Sequence, residues 1–534
     1  MARVLISDKL SEQGLRILEE AQGIDVDYRP GLEADELCAI LPAYEGLIIR
    51  SGTKVTADVL LAAEKLRVIG RAGIGVDNVD LAAATARGIL VMNTPEGNAI
   101  TTAEHAISLM TALARKIPQA TASMKAGRWE KSSFSGKELY GQVLGIVGLG
   151  NIGSIVADRA RGLRMRVIAF DPLISEERAE RIGAALVSLE ELLERSDVIS
   201  IHVPLTKDTR GLIDAHAFDR MKEGVLIVNA ARGGIVVEQD LLAAIERGKV
   251  AGAALDVFEK EPPPTDHPLL VRPEVIATPH LGAATAQAQI NVAIAVAEQV
   301  RDFLTGGAVR NAVNLPSVSA DQLEKLRPFI VLGEKLGLFQ GQLVGEGGIL
   351  EIDVEFAGQV TEYDVQPVTL AVLKGVLEPW IGERINFVNA PYNAQQRGIR
   401  VIESKAAQPQ DFVSLLTVRL RTRTGQHLVA GTLFGRTQPR IVRVDDFFLE
   451  AIPEGATLLI RNDDRPGVVG HVGTTLGAAQ INISRMQLGL NLEGTQAVQL
   501  LNVDPAPDER VLDAVRGLPG IQSVHLLDLG PLVT

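Results

Sequence analysis

The sequence predicts an α/β fold class: two doubly wound parallel-sheet units, then an α+β unit, then a small unit in βαββαβ order. Three observations predict it. Up to about residue 304, short apolar runs alternate with segments of helical spacing, the signature of βαβ units and parallel sheets. A glycine cluster at 148–153 stands between one such run and the helix-spaced segment after it. Beyond NAVNLPSVS (Asn311 to Ser319), longer half-buried strands replace the short ones, and that run reads as a boundary.

The elements follow in order. VLISD (Val4 to Asp8), DVDYR (Asp25 to Arg29), GLIIR (Gly46 to Arg50) and RVIG (Arg67 to Gly70) read as strands, with helices SEQGLRILEEA, EADELCAIL and TADVLLAAEKL between them. A second run starts at Gln142 with VLGIVGLG, RVIAFD, DVISIHVP, GVLIVNAA, AGAALD and VIATPH. Two parallel sheets in one segment imply a cleft between them. Residues 288–304 read as one long Ala/Val-rich helix. In the third unit, ILEIDVEFAG, FVSLLTVRLRT and PRIVRVDDFFLEAI read as strands, with helix VQPVTLAVLKGVLEPW between the first two. The last unit runs TLLIRN, a helix from Gly467 to Ala479, INISRMQLGL, TQAVQLLNVD, a helix from Asp508 and IQSVHLLDL, a ferredoxin-like order.

Composition narrows the function classes. A chain of 534 residues is long enough for about three or four domains. Its 46% apolar and 22% charged residues are globular values. A net charge of −13 and only 4% aromatic residues argue against a nucleic-acid binder, which needs cations and stacking rings. The single cysteine, Cys38, excludes an internal disulfide framework and a cysteine-rich zinc site, and no metal is expected. MARVLISDKL lacks the build of a signal peptide and no run of ~18 apolar residues follows, so the expectation is a soluble, cytoplasmic chain with no membrane partner.

Gly148-Leu149-Gly150-Asn151-Ile152-Gly153 follows the strand VLGIV and opens a helix, and Asp171 closes the next strand 18 residues after Gly153. In a Rossmann-like site each part has a task. Gly148 permits the tight turn, Gly150 lets the backbone approach a pyrophosphate, and Gly153 allows close helix–strand packing. The helix N-terminus faces the phosphates. Asp171 would accept from ribose hydroxyls and repel the extra phosphate of NADP, so NAD is the expected cofactor. Read alone, Asp171-Pro172 also suits a strand-end turn.

Three later strands end in polar residues: NAARGG (Asn229 to Gly234), LDVFEKEP (Leu255 to Pro262) and TPHLGA (Thr278 to Ala283). Strand C-termini of an open α/β sheet line the ligand crevice, so Arg232, Glu261 and His280 are expected to converge there. Arg clamps a carboxylate with a charged two-pronged bond. A His takes a hydroxyl proton while hydride leaves the same carbon, and a Glu stabilises the imidazolium. Singly, each also reads as a surface, cap or packing residue. The remaining histidines (105, 202, 216, 267, 427, 471 and 525) show no metal-ligand spacing and read as ordinary surface or packing residues.

The ordered set GLGNIG, Asp171, NAARGG, LDVFEKEP and TPHLGA resembles the D-2-hydroxyacid dehydrogenase family. RSGTKVT (Arg50 to Thr56), GRAGIGVDNVD (Gly70 to Asp80) and NTPEGNAITTAEHA (Asn93 to Ala106) resemble the branch acting on 3-phospho-D-glycerate, in its long form with an intervening domain and an ACT domain. That resemblance implies a substrate domain of residues 1–98 and 286–316, an NAD domain of 99–285, an intervening domain of 317–452 and an ACT domain of 453–534. It implies that Arg232 binds the substrate carboxylate, His280 is the acid/base and Glu261 its partner. Cofactor contacts would come from Gly148, Gly150, Asn151, Ile152, Gly153, Asp171, Val203, Ala230, Ala231, Arg232, Asp256, His280, Leu281, Gly282 and Ala283. Arg50, Lys54 and Arg71, with Arg232 and His280, would hold the substrate. Position 74 departs from the pattern, carrying Ile where some members have a polar residue. Arg128 and Lys131 suit either a subunit contact or a solvated loop, and hinges are expected near Asn98 and Ala283.

At the far end, Asn462-Asp463-Asp464-Arg465-Pro466-Gly467 ends a strand and opens a helix, with Pro466 near its first position. By itself this is an N-cap turn. By resemblance it is an ACT effector site, with L-serine held by Asn462, Asp464 and Asn482 at a contact between two copies. A homo-oligomer, dimer or tetramer, follows from the same resemblance. Two other functions fit the residues: a dehydrogenase of another 2-hydroxy acid such as glycerate or 2-hydroxyglutarate, and a non-catalytic sensor on the same scaffold.

Overall fold

The structure is a computed structural model describing all residues except 308, 317, 319, 345–347, 383, 407–410, 492 and 533–534. The boundary expected over 311–319 thus includes two positions, 317 and 319, outside the described residues. Among the described residues the strands form four sheets, and no helix is long and apolar enough to cross a membrane.

The first sheet is parallel, built from β1 (Ala2–Ile6), β2 (Ile24–Tyr28), β3 (Gly46–Ile49), β4 (Val68–Arg71) and β5 (Leu90–Asn93) in the order β2-β1-β3-β4-β5. Winding reverses between β1 and β3, and a ligand crevice forms at such a switch point. Asp8, Arg50 and Arg71 leave β1, β3 and β4 there. The helix Ala286–Leu304 returns to cover this sheet: Val292, Val296, Ala297 and Val300 pack with Val4, Ile6, Ile48 and Val68. Beyond it the chain runs along β5, where Val91 donates to Asn314 Oδ1 and Val313 donates to the Val91 carbonyl.

The second sheet holds β6 (Val143–Val147), β7 (Arg166–Phe170), β8 (Ala185–Leu186), β9 (Val198–Ile201), β10 (Val225–Asn229), β11 (Val250–Leu255) and β12 (Val275–Ala277). Its order is β12-β11-β10-β9-β6-β7-β8, all parallel. The strands are mostly apolar because helices cover both faces. The switch point lies between β6 and β9, and the polar ends of β10, β11 and β12 open on the same side.

The third sheet runs β14-β13-β15-β16-β17-β18, from β13 (Ile349–Gly358), β14 (Arg400–Ala406), β15 (Ser414–Thr422), β16 (Gln426–Phe434), β17 (Gln438–Val444) and β18 (Phe447–Ala451). Several findings differ from the sequence prediction, which included neither β14 nor β16. PRIVRVDDFFLEAI is not one strand but a hairpin, β17 and β18, turned at Asp445. Asp445 has φ 48, which a short polar side chain tolerates, and its carboxylate accepts from Leu428 N–H. A helix over Ala320–Leu343, missing from the reading, packs along the helix Gln366–Ile381. Gly333, Gly337 and Gly341 bring it against the carbonyls of Val368, Val372 and Val376, so close that a Cβ at 337 or 341 would collide with backbone and one at 333 would fit only tightly.

The fourth sheet is antiparallel: β19 (Ala456–Asp463), β20 (Asn482–Leu490), β21 (Gln496–Asp504) and β22 (Ile521–Asp528) in the order β20-β21-β19-β22. Side chains alternate across it. Leu458 and Ile460 face the two helices, with Val472, Leu476, Leu512 and Val515. Leu459, Val498, Leu500 and Leu527 face the other way and complete the core of the third unit. A boundary at 452/453 therefore falls between two units that share one core. The helix expected from Gly467 starts at Val468, with Gly467 as N-cap at φ 95, so Pro466 precedes the cap. The third unit also reaches back to the first, where Asn386 Nδ2 donates to the Gly88 carbonyl at 2.9 Å.

Candidate active site

The cofactor turn is built by β6 and the helix Asn151–Gly162. Gly148 has φ 92, and its N–H donates to the Phe170 carbonyl. A Cβ at Gly153 would overlap the Gly148 carbonyl, whereas a Cβ at Gly150 would meet nothing within 4 Å. The cradle is thus closed behind and open in front, as a pyrophosphate against the free amides of the first helical turn requires. Asn151 is exposed at that turn and Ile152 half-buried. Val203 packs against Gly148. Asp171 does more than the sequence suggested. Its Oδ2 accepts from Leu149 N–H (2.8 Å) and its Oδ1 from Leu173 N–H (2.9 Å), so the acid braces the glycine turn.

At the end of β10, Asn229 shapes the next turn: its Oδ1 accepts from Ala231 N–H and its Nδ2 donates to the Arg232 carbonyl. Ala230 and Ala231 are buried. The Arg232 side chain reaches across the crevice, with Nε donating to Asp77 Oδ2 at 2.7 Å and Nη1 donating to the Ala231 carbonyl. Glycine at 75 makes room, since a Cβ there would occupy the place of Nη2.

His280 and Glu261 meet. His280 Nδ1 lies 2.8 Å from Glu261 Oε2, both side chains partly exposed to the crevice. Glu261 Oε1 accepts from Phe258 N–H. Burial alone would push the Glu261 carboxyl up. The His280 bond and charge, the Phe258 amide and the Arg232 charge outweigh it and hold the group below the usual carboxylate range. An ionised Glu261 can only accept, so Nδ1 carries the proton and Nε2 is left free to take one.

Opposite stands the cationic wall. Burial pushes the Arg71 guanidinium down to about 10, helped by the positive charges of Arg232 and Arg50 and opposed by Asp77 and Asp8. It remains a cation at neutral pH, and its buried Nε has no hydrogen-bond partner among the described residues. Arg50 is anchored by Asp8, which accepts from its backbone N–H at 2.6 Å. Lys54 is exposed on the loop before the helix Ala57–Ala62.

Asp256, at the end of β11, is fully buried and points into the loop that carries His280. Its carboxylate accepts from Thr278 Oγ1 (2.5 Å), Leu281 N–H (2.7 Å) and Gly282 N–H (2.8 Å), with His105 Nε2 at 3.1 Å. Ala283, half-buried, follows that pinned turn. Two of these residues, Asp77 and His105, carry no local signal in the sequence. Asp77 stands inside the motif GRAGIGVDNVD, but its partner lies 155 positions away. His105 reads from sequence as an ordinary histidine, because nothing local announces a buried acid as neighbour.

The far site is different. Asp464 and Asn482 are exposed, but Asn462 is 2% exposed, its Oδ1 accepting from Gln499 Nε2 and its Nδ2 donating to the Asp463 carbonyl. Each end of its carboxamide already has one partner. Arg128 pairs with Glu130, and Lys131 is exposed.

Family models match three stretches. Residues 107–282 match the D-isomer specific 2-hydroxyacid dehydrogenase NAD binding domain, 325–445 the D-3-phosphoglycerate dehydrogenase intervening domain and 456–520 the ACT domain. A D-3-phosphoglycerate dehydrogenase of Archaeoglobus fulgidus is 45% identical over 99% of this chain and 100% of its own length. One from Bacillus subtilis is 40% identical over the same shares. The chain belongs to the D-3-phosphoglycerate dehydrogenase family. Among solved structures, an NAD-dependent formate dehydrogenase from Staphylococcus aureus in complex with NAD is 28% identical with a TM-score of 0.54, covering 60% of this chain and all of that one. The D-lactate dehydrogenase of Escherichia coli, also 28% identical, has a TM-score of 0.51, covering 59% of this chain and all of that one. Both cover little more than the first two sheets, so the third and fourth units are an addition to a dehydrogenase core. As a member of this family the chain is an oxidoreductase of D-2-hydroxy acids, and NAD is its cofactor.

Proposed function

We propose that this enzyme oxidises 3-phospho-D-glycerate to 3-phosphooxypyruvate, the first committed step toward L-serine. The observation that carries the reading is the pairing of His280 with Glu261, together with two clustered arginines, one of them without a hydrogen-bond partner at its Nε among the described residues. When bound, NAD supplies the acceptor for the hydride that leaves C2. Arg232 holds the carboxylate through its guanidinium, with Asp77 fixing the angle of approach. His280 takes the C2 hydroxyl proton at Nε2, and the Nδ1–H bond to Glu261 stabilises the resulting imidazolium. Arg71 and Arg50 attract the phosphate, with Lys54 as an outer charge. A net charge of −13 makes such a local cationic wall necessary for an anionic substrate.

In this reading residues 1–98 with 286–316 form the substrate domain and 99–285 the NAD domain. The cofactor lies against Gly148, Gly150, Asn151, Ile152, Gly153, Asp171, Val203, Ala230, Ala231, Arg232, Asp256 and the 280–283 turn. Closure about Asn98 and Ala283 excludes water. Residues 317–452 link the dehydrogenase to an ACT domain over 453–534.

The same proposal assigns L-serine as effector and a homo-oligomer, dimer or tetramer, acting in the cytoplasm. Strand register supports two copies per effector site. Asn462 lies opposite Ala497 and Asn482 opposite Asp504, seven residues apart on β21 and so ~23 Å. No single amino acid spans that distance, and two chains side by side are needed to bring Asp464 and Asn482 together. The test is NADH formation with 3-phosphoglycerate and with glycerate, with and without serine. Preference for the phosphorylated acid and inhibition by serine are expected. Equal use of glycerate defeats the substrate assignment, and indifference to serine defeats the effector assignment.

A further inference from the structure

We infer that His105 is a positioning residue for the loop 278–282, acting through the buried carboxylate of Asp256; the inference rests on the reading of His280 as acid/base. Asp256 is the point on which this loop turns. Its carboxylate accepts from the Thr278 hydroxyl and from the consecutive amides of Leu281 and Gly282, and its backbone carbonyl accepts from His280 N–H at 2.9 Å. Between these anchors His280 holds φ 53. A non-glycine residue keeps such a left-handed conformation only where its surroundings over-determine it.

His105 completes those surroundings from a different element. It lies on the helix Ala99–Ala114, which begins where the chain crosses from the first sheet to the second. Its Nε2 is 3.1 Å from Asp256 Oδ1 and 3.3 Å from Thr278 Oγ1. One turn earlier Thr102 packs on the loop at Gly282. A wholly buried carboxylate needs every donor it can find, and desolvation would otherwise drive it toward the neutral form. With the imidazole N–H in place it accepts from four donors. Without it, a fully buried acid holds two loop amides and a hydroxyl with weakened charge. The helix that opens at the crossing thereby sets the stiffness of the loop bearing the proposed proton acceptor. Among the described residues His105 reaches that loop through Asp256 and Thr278, so its task is to position and not to react.

The test compares His105→Leu with His105→Gln in the full-length enzyme, since a glutamine Nε2 can stand where the imidazole Nε2 stands. In His105→Leu, amide exchange of a peptide covering 278–284 is expected to speed up. The kcat with 3-phosphoglycerate is expected to fall roughly ten- to a hundredfold while its KM changes by less than about twofold. In His105→Gln both are expected to recover most of the way. Unchanged exchange in His105→Leu overturns the inference, as does a His105→Gln variant as loose as the leucine one. Faster exchange with unchanged kcat sustains the positioning and removes His280 from the chemistry instead. Should His105→Leu not fold, as read by its melting curve, Thr278→Val is expected to loosen the same peptide to a smaller degree, and an unaltered peptide there overturns the inference.

Discussion

The crevice between the first two sheets and the joint core of the last two units hold together in opposite ways. Around His280 the order is polar: one buried carboxylate, two backbone amides, a hydroxyl and an imidazole pin a half-exposed loop. In the C-terminal half the order is apolar. The helix Ala320–Leu343 lies against the helix Gln366–Ile381 at glycine spacing, and the inner face of the fourth sheet closes the same core. A polar anchor holds a loop at the surface and leaves it open to ligand. A shared apolar core joins the third and fourth units, and the third touches the first where Asn386 Nδ2 donates to the Gly88 carbonyl.

The largest expected effect breaks the first side of that contrast. His280→Ala is expected to lower turnover by at least ~10²-fold with the fold intact, as measured by NADH formation. Near-normal turnover would show that the pinned loop serves no proton transfer. On the other side, Gly337→Leu drives a side chain into the Val372 carbonyl and is expected to destabilise the C-terminal half by about 1–3 kcal/mol or more. Denaturant unfolding followed in parallel with NADH formation should show this loss while uninhibited turnover persists. Joint loss of both would mean that the two halves are one cooperative unit.

Arg71→Met is expected to raise KM for 3-phosphoglycerate roughly tenfold or more and to leave KM for NAD unchanged, since it removes a charge-assisted phosphate contact. Acid offers a finer probe. Burial would raise the Asp256 carboxyl, but the bonds from His105, Thr278 and Leu281 hold it below its ordinary 3.8. A carboxyl lowered by folding contributes stability that is present above its unfolded value and lost as pH falls through the folded one. The stability gap between wild type and Asp256→Asn should therefore be full at pH 7 and shrink below about pH 4, whereas the gap for Gly337→Leu should not move with pH. The smallest effect is expected at Lys54. Its exposed amine is screened, and Lys54→Ala should raise KM for the substrate by less than about threefold.

Much of the fold was legible because its signals are local. Short strands with period-two or all-apolar patterns, glycine at 148, 150 and 153, and polar strand ends at 229, 256 and 278 each reflect what neighbouring residues do to one another. The hairpin at Asp445 was hidden, because a left-handed aspartate leaves the same residues on the page as a continuous strand. The helix Ala320–Leu343 was hidden for a related reason: its glycines weaken helical propensity locally and are repaid only by contact with a second helix.

The sequence by itself determined the fold class, the glycine cradle for NAD and the family, all of which depend on residue type and spacing along the chain. Only the tertiary structure decided that Asp77 grips Arg232, that His105 backs Asp256, and that Asn462 is buried and bonded to Gln499. These are matters of which side chain faces which across 37 to 155 positions. Packing sets such facings by excluding every other arrangement at once, and no stretch of sequence short enough to read locally contains that exclusion.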